Sequence, residues 1–212
     1  MVSFFFDIIF INLSIVQSAQ TYIKFLVYIY LAFVYTKVMQ GNRILSKEFF
    51  EMSADNLAIS LLGKTLVRNI DGQITRYLIA ETECYMGVLD TGCQAHRGKT
   101  PKTSVLWERG GTLYVHLIYG LYYMLNIIAG KEGDPMGVLI RGVKGIKGPG
   151  RLTRALEIGK DFNRENLLLS ERIWIEDTGL IPLYKKTPRI GIDYADDIDR
   201  NQLWRFVAYD YL

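Results

Sequence analysis

Two glutamates and a tyrosine lie close together in the run Glu81-Thr-Glu83-Cys-Tyr85. In a β-strand side chains alternate between two faces, so these three would share one face and Thr82 and Cys84 the other. Burying two carboxylates and a phenol on one face is costly without partners. The pattern therefore permits either a solvent-facing stripe with a salt bridge or a cleft in which one carboxylate is a general base.

Basic residues and aromatic residues follow this strand within the next fifty positions. His96 lies in the basic run His96-Arg-Gly-Lys-Thr-Pro-Lys, where a lone histidine is often structural. Aromatic residues are common in strands, but they can also stack on a nucleobase or wedge between base steps. A wedge would fill the gap left when a base is taken out of the stack. The aromatic group comprises Tyr114, His116, Tyr119, Tyr122 and Tyr123.

The net charge of +3 and the pI of about 8.7 are compatible with an anionic partner. Basic residues concentrate in a stretch without acids, and Gly148-Pro-Gly150 opens a helix there whose amides could meet a phosphate. The alternative is a solvated charged face. The candidate contacts with a phosphate backbone are Lys144, Lys147, Arg151 and Arg154, with Arg141 at the start of the stretch.

Metal chemistry is not expected from this sequence. Two cysteines and two histidines at these spacings are too few for a zinc site. Cys84 and Cys93 fit two ordinary thiols in a reducing compartment better than a disulfide scaffold. We therefore expect neither a metal nor a cofactor.

The first half of the chain shows clear turn signals that would position the acidic run. Asp71-Gly72 is typical of a two-residue hairpin turn because both positions require positive φ. It would join strands 64–70 and 73–85, after a helix over 54–62 with Ser53 as N-cap and Gly63 beyond its end. These signals predict that the acidic run ends a long strand.

The aromatic residues are predicted to lie on a second hairpin. Residues 86–111 form mostly a loop, whose length suggests a functional role. Strands 112–118 and 121–128 then meet at a tight turn at Tyr119-Gly120. This turn would place Tyr119 at the tip of the hairpin.

The last third of the chain gives weaker signals. A helix over 151–158 would end at Gly159, and residues 167–174 would lead into another strand. We further expect a strand over 189–193 and an acidic surface turn over 196–199. Trp204 and Phe206 are predicted to pack into the core.

Residues 1–38 are hydrophobic and differ from the rest of the chain. Polar residues such as Asp7, Asn12 and Gln17 interrupt the run of about 18 apolar residues that a spanning helix requires. A membrane anchor, an amphipathic appendage and a dispensable extension before a start at Met39 stay open, and the extension is favoured over membrane contact. We expect 1–38 to lie outside the fold and 39–212 to form one domain.

From about Lys47 to Arg205 the chain resembles the alkyladenine (3-methyladenine) DNA glycosylases. Several motifs occur in the family's order, which makes the resemblance more specific than any one motif. They include Glu81-Thr-Glu-Cys-Tyr-Met-Gly, His96 with its basic loop, Gly111-Thr-Leu-Tyr-Val-His-Leu-Ile-Tyr-Gly-Leu-Tyr, Asn126, Gly137-Val-Leu-Ile-Arg, Gly148-Pro-Gly-Arg-Leu-Thr-Arg-Ala-Leu and Pro188-Arg-Ile-Gly-Ile-Asp-Tyr.

The resemblance implies an α+β fold: a single domain with a curved, largely antiparallel, barrel-like sheet, peripheral helices and a protruding aromatic hairpin. It implies that Glu83 is the general base that activates water, and that Arg141 positions the water. Tyr119 would insert into the gap that the flipped nucleotide leaves. The residues that would line the base pocket are Tyr85, His96, His116 and Asn126.

The chain departs from the family pattern at three places. His116 stands where the family often has tyrosine, and Cys84 where alanine is common. The segment from Glu83 to His96 is about two residues longer than usual. An imidazole offers less stacking surface than a phenol and can become charged, so His116 bears on the preference for damaged bases.

The implied activity is monofunctional removal of alkylated or deaminated purines from double-stranded DNA by a cytoplasmic monomer acting on the chromosome. Alkylated purines such as 3-methyladenine are cationic, and stacking a cation between electron-rich rings is favourable. The alternatives are a lesion-binding protein without catalysis and a membrane-attached protein of unknown activity. A glycoside hydrolase using Glu81 and Glu83 ranks last, because both would lie on one side of a sugar.

Overall fold

A computed structural model of the protein describes residues 23–24, 26–30, 42–43 and 46–209. Residues 23–24 and 26–30 are helical with exposed side chains, and a boundary between two structural units falls after Asn42. Within the described ranges, no helix is long and apolar enough to cross a membrane. The expectations for 1–38 and the predicted division at residue 39 fall largely outside these ranges, and they stay predictions.

The second unit, which begins at Arg43, combines short helices with many strands over its described residues. Its α-helices are Lys47–Phe50, Ala54–Leu61, Pro149–Ala155 and Asp197–Arg200, and its 3-10 helices are Gly87–Leu89, Gln94–Arg97, Ser104–Trp107 and Lys160–Phe162. The strands are β1 (Asn42–Arg43), β2 (Thr65–Ile70), β3 (Gln73–Tyr85), β4 (Leu113–Ile118), β5 (Tyr122–Ala129), β6 (Met136–Val143), β7 (Ile146–Lys147), β8 (Ile173–Asp177), β9 (Tyr184–Thr187) and β10 (Arg205–Ala208).

Strand β3 is the centre of the sheet because it is long enough to pair with three neighbours. Its first half pairs with β2, its second half pairs with β6, and residues 81–83 also pair with β10. The sheet continues through β5 to β4, and it does not close on itself over the described residues. Every strand pair with a described register is antiparallel, so the α+β expectation with a largely antiparallel sheet is confirmed.

The acidic half of β3 alternates as the sequence predicts. Thr82 and Cys84 are fully buried on one face, where the Thr82 hydroxyl donates to the Ala58 carbonyl at 2.9 Å. That carbonyl belongs to helix Ala54–Leu61, whose buried residues join the main hydrophobic core. The opposite face of β3 is therefore left for the glutamates.

Both predicted hairpins are present, and the residues at each turn adopt positive φ. Asp71 and Gly72 adopt φ of 49° and 87°, and the strand that follows covers the predicted residues 73–85. At the second hairpin Tyr119 and Gly120 adopt φ of 54° and 70°, and the Leu121 amide donates to the Ile118 carbonyl. A tyrosine at positive φ is strained, and such strain often occurs at functional positions.

The C-terminal third differs most from the sequence prediction. The helix predicted over 151–158 is Pro149–Ala155, because Pro149 starts it and Glu157 turns to φ 51° after it. The strand into which residues 167–174 are predicted to lead is β8, Ile173–Asp177. The predicted acidic turn is instead the short helix Asp197–Arg200, in which Asp199 is buried.

The predicted strand over 189–193 is wrong, and the strand in this region is β9, Tyr184–Thr187. Residues 189–193 have no regular secondary structure, and Arg189 there is buried in an ion pair with Asp90, 99 residues away in sequence. Phe206 is buried as expected, and Trp204 packs partly buried against the same core.

Candidate active site

A pair of compensating irregularities in the β3–β6 register places Arg141 beside the glutamates. Ile79 pairs with Val143 and Glu81 with Gly142, but Thr82 pairs with Ile140. Ala80 on β3 and Arg141 on β6 are thus extra residues in the ladder. Such bulges often lie next to active sites and redirect a side chain. Here Arg141 Nε lies 3.0 Å from Glu81 Oε1, and Arg141 Nη1 lies 3.2 Å from Glu83 Oε2.

The Glu83 carboxylate is fully buried and accepts three hydrogen bonds. Arg141 and the Tyr85 hydroxyl each donate to Oε2 at 3.2 Å, and the Ile190 amide donates to Oε1 at 2.8 Å. Burial raises the pKa of Glu83, and the charge of Arg141 with these hydrogen bonds only partly opposes that rise. A carboxylate whose pKa is raised in this way is a stronger base than an ordinary glutamate.

Glu81 is also buried, and its Oε1 accepts hydrogen bonds from Arg141 at 3.0 Å and from Arg205 Nε at 2.5 Å. Arg205 lies on β10, directly opposite Glu83 in the register. Two arginines thus balance the two carboxylates. The interpretation of this face as a solvent-facing stripe is wrong, because Glu81 and Glu83 are only 5% and 0% exposed.

A buried ion pair secures the loop that lies over Glu83. Arg189 Nη1 and Nη2 lie 2.6 and 2.8 Å from the Asp90 carboxylate, and both side chains have no exposure. The guanidinium also lies 4.8 Å from the ring centres of Tyr85 and Trp204. Arg189 therefore fixes the chain just before Ile190, whose amide contacts Glu83, and packs against Tyr85.

The second group of predicted site residues meets around His116. The imidazole stacks on Tyr114 with ring centres 4.6 Å apart and planes inclined by 22°. Gln94 Nε2 lies 2.9 Å from His116 Nε2, and Asn126 Nδ2 lies 3.4 Å from Nδ1. Burial, followed by the positive charge of Lys102, lowers the pKa of His116 to about 4.

His96 is exposed, and its Nδ1 lies 2.9 Å from the Val88 carbonyl. It belongs to the same 3-10 helix as Gln94, which contacts His116, so this helix connects the loop to the aromatic hairpin. The structure brings Glu83, Arg141 and Tyr85 into direct contact, and joins His116 to Asn126. No direct contact of His96 with either group is described.

The hairpin tip and the basic residues are exposed. Tyr119 is 86% exposed at the tip, flanked by the exposed Leu117 and Leu121. Lys144, Lys147, Arg151 and Arg154 are also exposed. The basic segment packs closely against the hairpin at Gly150. A residue with a Cβ would not fit there, because the Cβ would lie 2.6 Å from the Tyr122 ring.

Sequence reasoning missed four contributors to the site: Arg205, Arg189, Asp90 and Gln94. Only the motif containing Arg189 gave a signal, as part of the family resemblance. Local sequence patterns cannot predict that Asp90, in a long loop, pairs with Arg189, because the two lie 99 residues apart. Arg205 reaches Glu81 only because β10 pairs with β3.

Two negative observations bear on the chemistry. Among the described residues, no group of three or more His, Cys, Asp or Glu could hold a metal ion. Cys84 and Cys93 are free and buried, and burial raises the pKa of the Cys93 thiol to about 11. Neither thiol is therefore prepared to act as a thiolate nucleophile.

Comparison with known proteins identifies the family. The family model described as methylpurine-DNA glycosylase matches residues 48–148 and 144–211. The chain belongs to this family. It is accordingly a DNA glycosylase, a hydrolase of N-glycosyl bonds, and DNA is its substrate.

Bacterial relatives carry the same assignment across most of their length. A Wolbachia pipientis wMel protein is 40% identical over 79% of this chain and 93% of its own. A Sodalis glossinidius protein is 39% identical over 79% and 98%, and a Natranaerobius thermophilus protein 36% identical over 78% and 96%. All three bear the name "Putative 3-methyladenine DNA glycosylase".

Replacing Arg189 by methionine should destabilise the protein by about 3–5 kcal/mol, because it leaves Asp90 buried and charged without its partner. Chemical denaturation measures the free energy of unfolding. Arg200→Met is the matched control, since Arg200 pairs with Asp197 at the surface and its loss should change stability by less than about 1 kcal/mol. Equal losses in the two variants would contradict this interpretation.

Proposed function

We propose that this family member excises alkylated, 3-methyladenine-type, or deaminated purines from double-stranded DNA, with Glu83 activating the attacking water. The observation that carries the proposal is the buried Glu83 carboxylate, which Arg141, Tyr85 and the Ile190 amide hold in one position. The names of the bacterial relatives support the substrate class.

In the proposed reaction, Glu83 accepts a proton from water while the water oxygen bonds to the anomeric carbon of the damaged nucleotide. The electrons of the glycosidic bond leave with the purine. The raised pKa of Glu83 makes it a stronger base than an ordinary glutamate. Arg141 holds the carboxylate at Oε2 and directs the water. No lysine takes part as a nucleophile, so the enzyme is monofunctional.

The damaged base must leave the helix to reach this site. We place the flipped base in a pocket formed by Tyr85, His96, His116 and Asn126. The ring of Tyr85 lies directly beside Glu83, since its hydroxyl donates to that carboxylate. His116 and Asn126 are neighbours on paired strands, with their side chains 3.4 Å apart. The Asn126 side-chain amide can distinguish purines by hydrogen bonding to their exocyclic groups.

Tyr119 is proposed to fill the gap that the flipped nucleotide leaves. Its 86% exposure and its positive φ of 54° show a large ring held outward by a strained backbone. The exposed Lys144, Lys147, Arg151 and Arg154 would contact the DNA backbone next to this hairpin. The protein would act as a monomer.

Glu83→Gln should reduce single-turnover release of 3-methyladenine or hypoxanthine about 100- to 10,000-fold while binding of damaged duplex is retained, because the amide cannot accept the proton. Glu81→Gln is the matched control on the same strand face, and it should lose less activity. If wild type and variant both bind lesions but release no base, the protein is a lesion binder without catalysis.

The pH dependence of the rate of base release should follow the ionisation of the Glu83 carboxyl group. Glu83 works in its ionised form, and its pKa is raised, so the rate should fall with acidification at a higher pH than an ordinary glutamate would give. Single-turnover rates on a hypoxanthine duplex between pH 4 and 9 measure this decline. The residual rate of Glu83→Gln should lack it, and a decline shared by both proteins would exclude Glu83 as its source.

Tyr119→Gly should be at least as stable as the wild type, because glycine adopts positive φ without strain, yet it should bind and process lesions poorly. Binding to damaged duplex and thermal unfolding are the two measurements. Tyr209→Ala removes a tyrosine of 60% exposure away from the hairpin, and it serves as the control for DNA binding. Normal lesion binding by Tyr119→Gly would refute the proposal that Tyr119 fills the gap left by the flipped nucleotide.

A further inference from the structure

Arg205 shares one face of the sheet with Glu83. The two residues lie directly opposite each other in the pairing of β10 with β3, and such pairs lie side by side on the same face. The Arg205 guanidinium is held from two sides: its Nε lies 2.5 Å from Glu81 Oε1, and its Nη1 donates to Thr187 Oγ1 at 3.1 Å. A positive charge is therefore fixed next to Glu83 through its contacts with other residues.

A single oxygen of Glu81 accepts hydrogen bonds from two arginines. Arg141 Nε lies 3.0 Å from Oε1, and Arg205 Nε lies 2.5 Å from the same atom. The other end of Arg141 reaches Glu83, where Nη1 lies 3.2 Å from Oε2. Arginine often binds one carboxylate through two parallel N–H groups, but Arg141 divides its donors between two carboxylates. Arg205 favours this division, because it satisfies part of the charge of Glu81.

The two arginines and two glutamates balance each other in charge. Glu81 and Glu83 are 5% and 0% exposed, and buried charges are only weakly screened. If the charge of Arg205 is removed, Glu81 keeps an excess negative charge beside Glu83. If the charge of Glu81 is removed, Glu83 alone faces two arginines. The two losses therefore act on the ionised form of Glu83 in opposite directions.

The other buried groups near Glu83 cannot replace Arg205. Burial keeps the Tyr85 hydroxyl neutral by raising its pKa. Arg189, which lies over the Tyr85 ring, is neutralised by Asp90. Burial raises the pKa of Glu83, and the charge of Arg141 is the largest opposing influence. The position of Arg141 therefore matters for the ionisation of Glu83.

Two lysines on neighbouring strands are too exposed to take this role. Lys147 lies on β7 and Lys185 on β9, and both strands are separated from β3 by one intervening strand. Both side chains are exposed, so water screens their charges. Arg205 is thus the partly buried cation that neutralises Glu81 from β10.

We propose that Arg205 is a positioning residue: by balancing Glu81, it leaves Arg141 free to hold the Glu83 carboxylate that activates water. This inference rests on the proposed function, in which Glu83 is the base. Glu81 binds the Nε end of Arg141, and Nη1 is then available to Glu83. Arg205 needs no contact with the water or the nucleotide for this role.

Two single variants of the full chain test the proposal. Arg205→Met removes the positive charge and keeps an apolar stem, whereas Glu81→Gln removes the negative charge and keeps an acceptor oxygen for the arginines. Thermal unfolding shows whether each variant folds. Single-turnover release from a hypoxanthine duplex is then measured between pH 4 and 9. The readouts are the plateau rate and the half-rate pH, at which acidification has reduced the rate to half of its plateau.

The two variants should move the half-rate pH in opposite directions. In Arg205→Met it should rise by about one pH unit, because the unbalanced Glu81 disfavours ionised Glu83. The plateau rate should fall by on the order of tenfold, because Arg141 turns toward Glu81. In Glu81→Gln the half-rate pH should fall. The double variant Glu81→Gln/Arg205→Met should restore it, and Arg205→Lys, which keeps the charge, should stay near the wild-type value.

Arg76→Met is the matched control. Arg76 Nε lies 2.9 Å from Glu176 Oε2, and the Glu176 side chain is 5% exposed, so this variant also removes the arginine partner of a buried glutamate. Arg76 lies on the same strand as Glu83 but about 20 Å away, at the rise of about 3.3 Å per residue. Its loss should leave both the plateau rate and the half-rate pH unchanged.

Two results would overturn the inference while leaving the proposed function intact. One is an Arg205→Met enzyme that matches Arg76→Met in both readouts. The other is a shift of the same direction in both single variants that the double variant does not reverse, as a general loss of packing would produce. If Arg205→Met does not fold, an unshifted Glu81→Gln overturns the inference instead. A wild type that releases no base, or a decline that Glu83→Gln shares, would refute the proposed function itself.

Discussion

The ion pair between Glu83 and Arg141, inside the sheet, is the interaction on which the site depends. A carboxylate with no exposure would be strongly destabilising without partners. The fold supplies them from three directions: Arg141 from a bulge in β6, Tyr85 from the same strand, and the Ile190 amide from a loop 107 residues away. These bonds hold the carboxylate in one position, while burial still raises its pKa.

The three buried acids of the site, Glu81, Glu83 and Asp90, each have an arginine partner. Arg141 contacts both Glu81 and Glu83, and Arg205 adds a second contact to Glu81. Arg189 pairs with Asp90, and so fixes the loop that reaches Glu83. Buried pairs of this kind add little net stability, because desolvation offsets much of the attraction. Their value here is positional, since they hold the Glu83 carboxylate, which we propose as the base, and the loop that contacts it.

The aromatic hairpin separates two tasks along one pair of strands. Near its base, His116 and Asn126 face each other within a network of neutral hydrogen-bonding groups. At its tip, Tyr119 is exposed on a strained turn. Under the proposed function both regions act on one DNA substrate, because excision requires a pocket for the extruded base and a residue that fills the gap it leaves.

Local patterns in the sequence determined the strand alternation at 81–85 and the two hairpin turns, because side-chain period and positive φ are properties of neighbouring residues. Motif order indicated the family, and with it the candidates Glu83, Arg141 and Tyr119. Only the tertiary structure decided the bulge that brings Arg141 to the glutamates, the Arg189–Asp90 pair and the contact of Gln94 with His116. The predicted strand over 189–193 is wrong at the place where Arg189 makes its long-range pair with Asp90. These features depend on contacts between residues far apart in sequence, which sheet register and burial bring together. Local sequence patterns contain no information about such contacts.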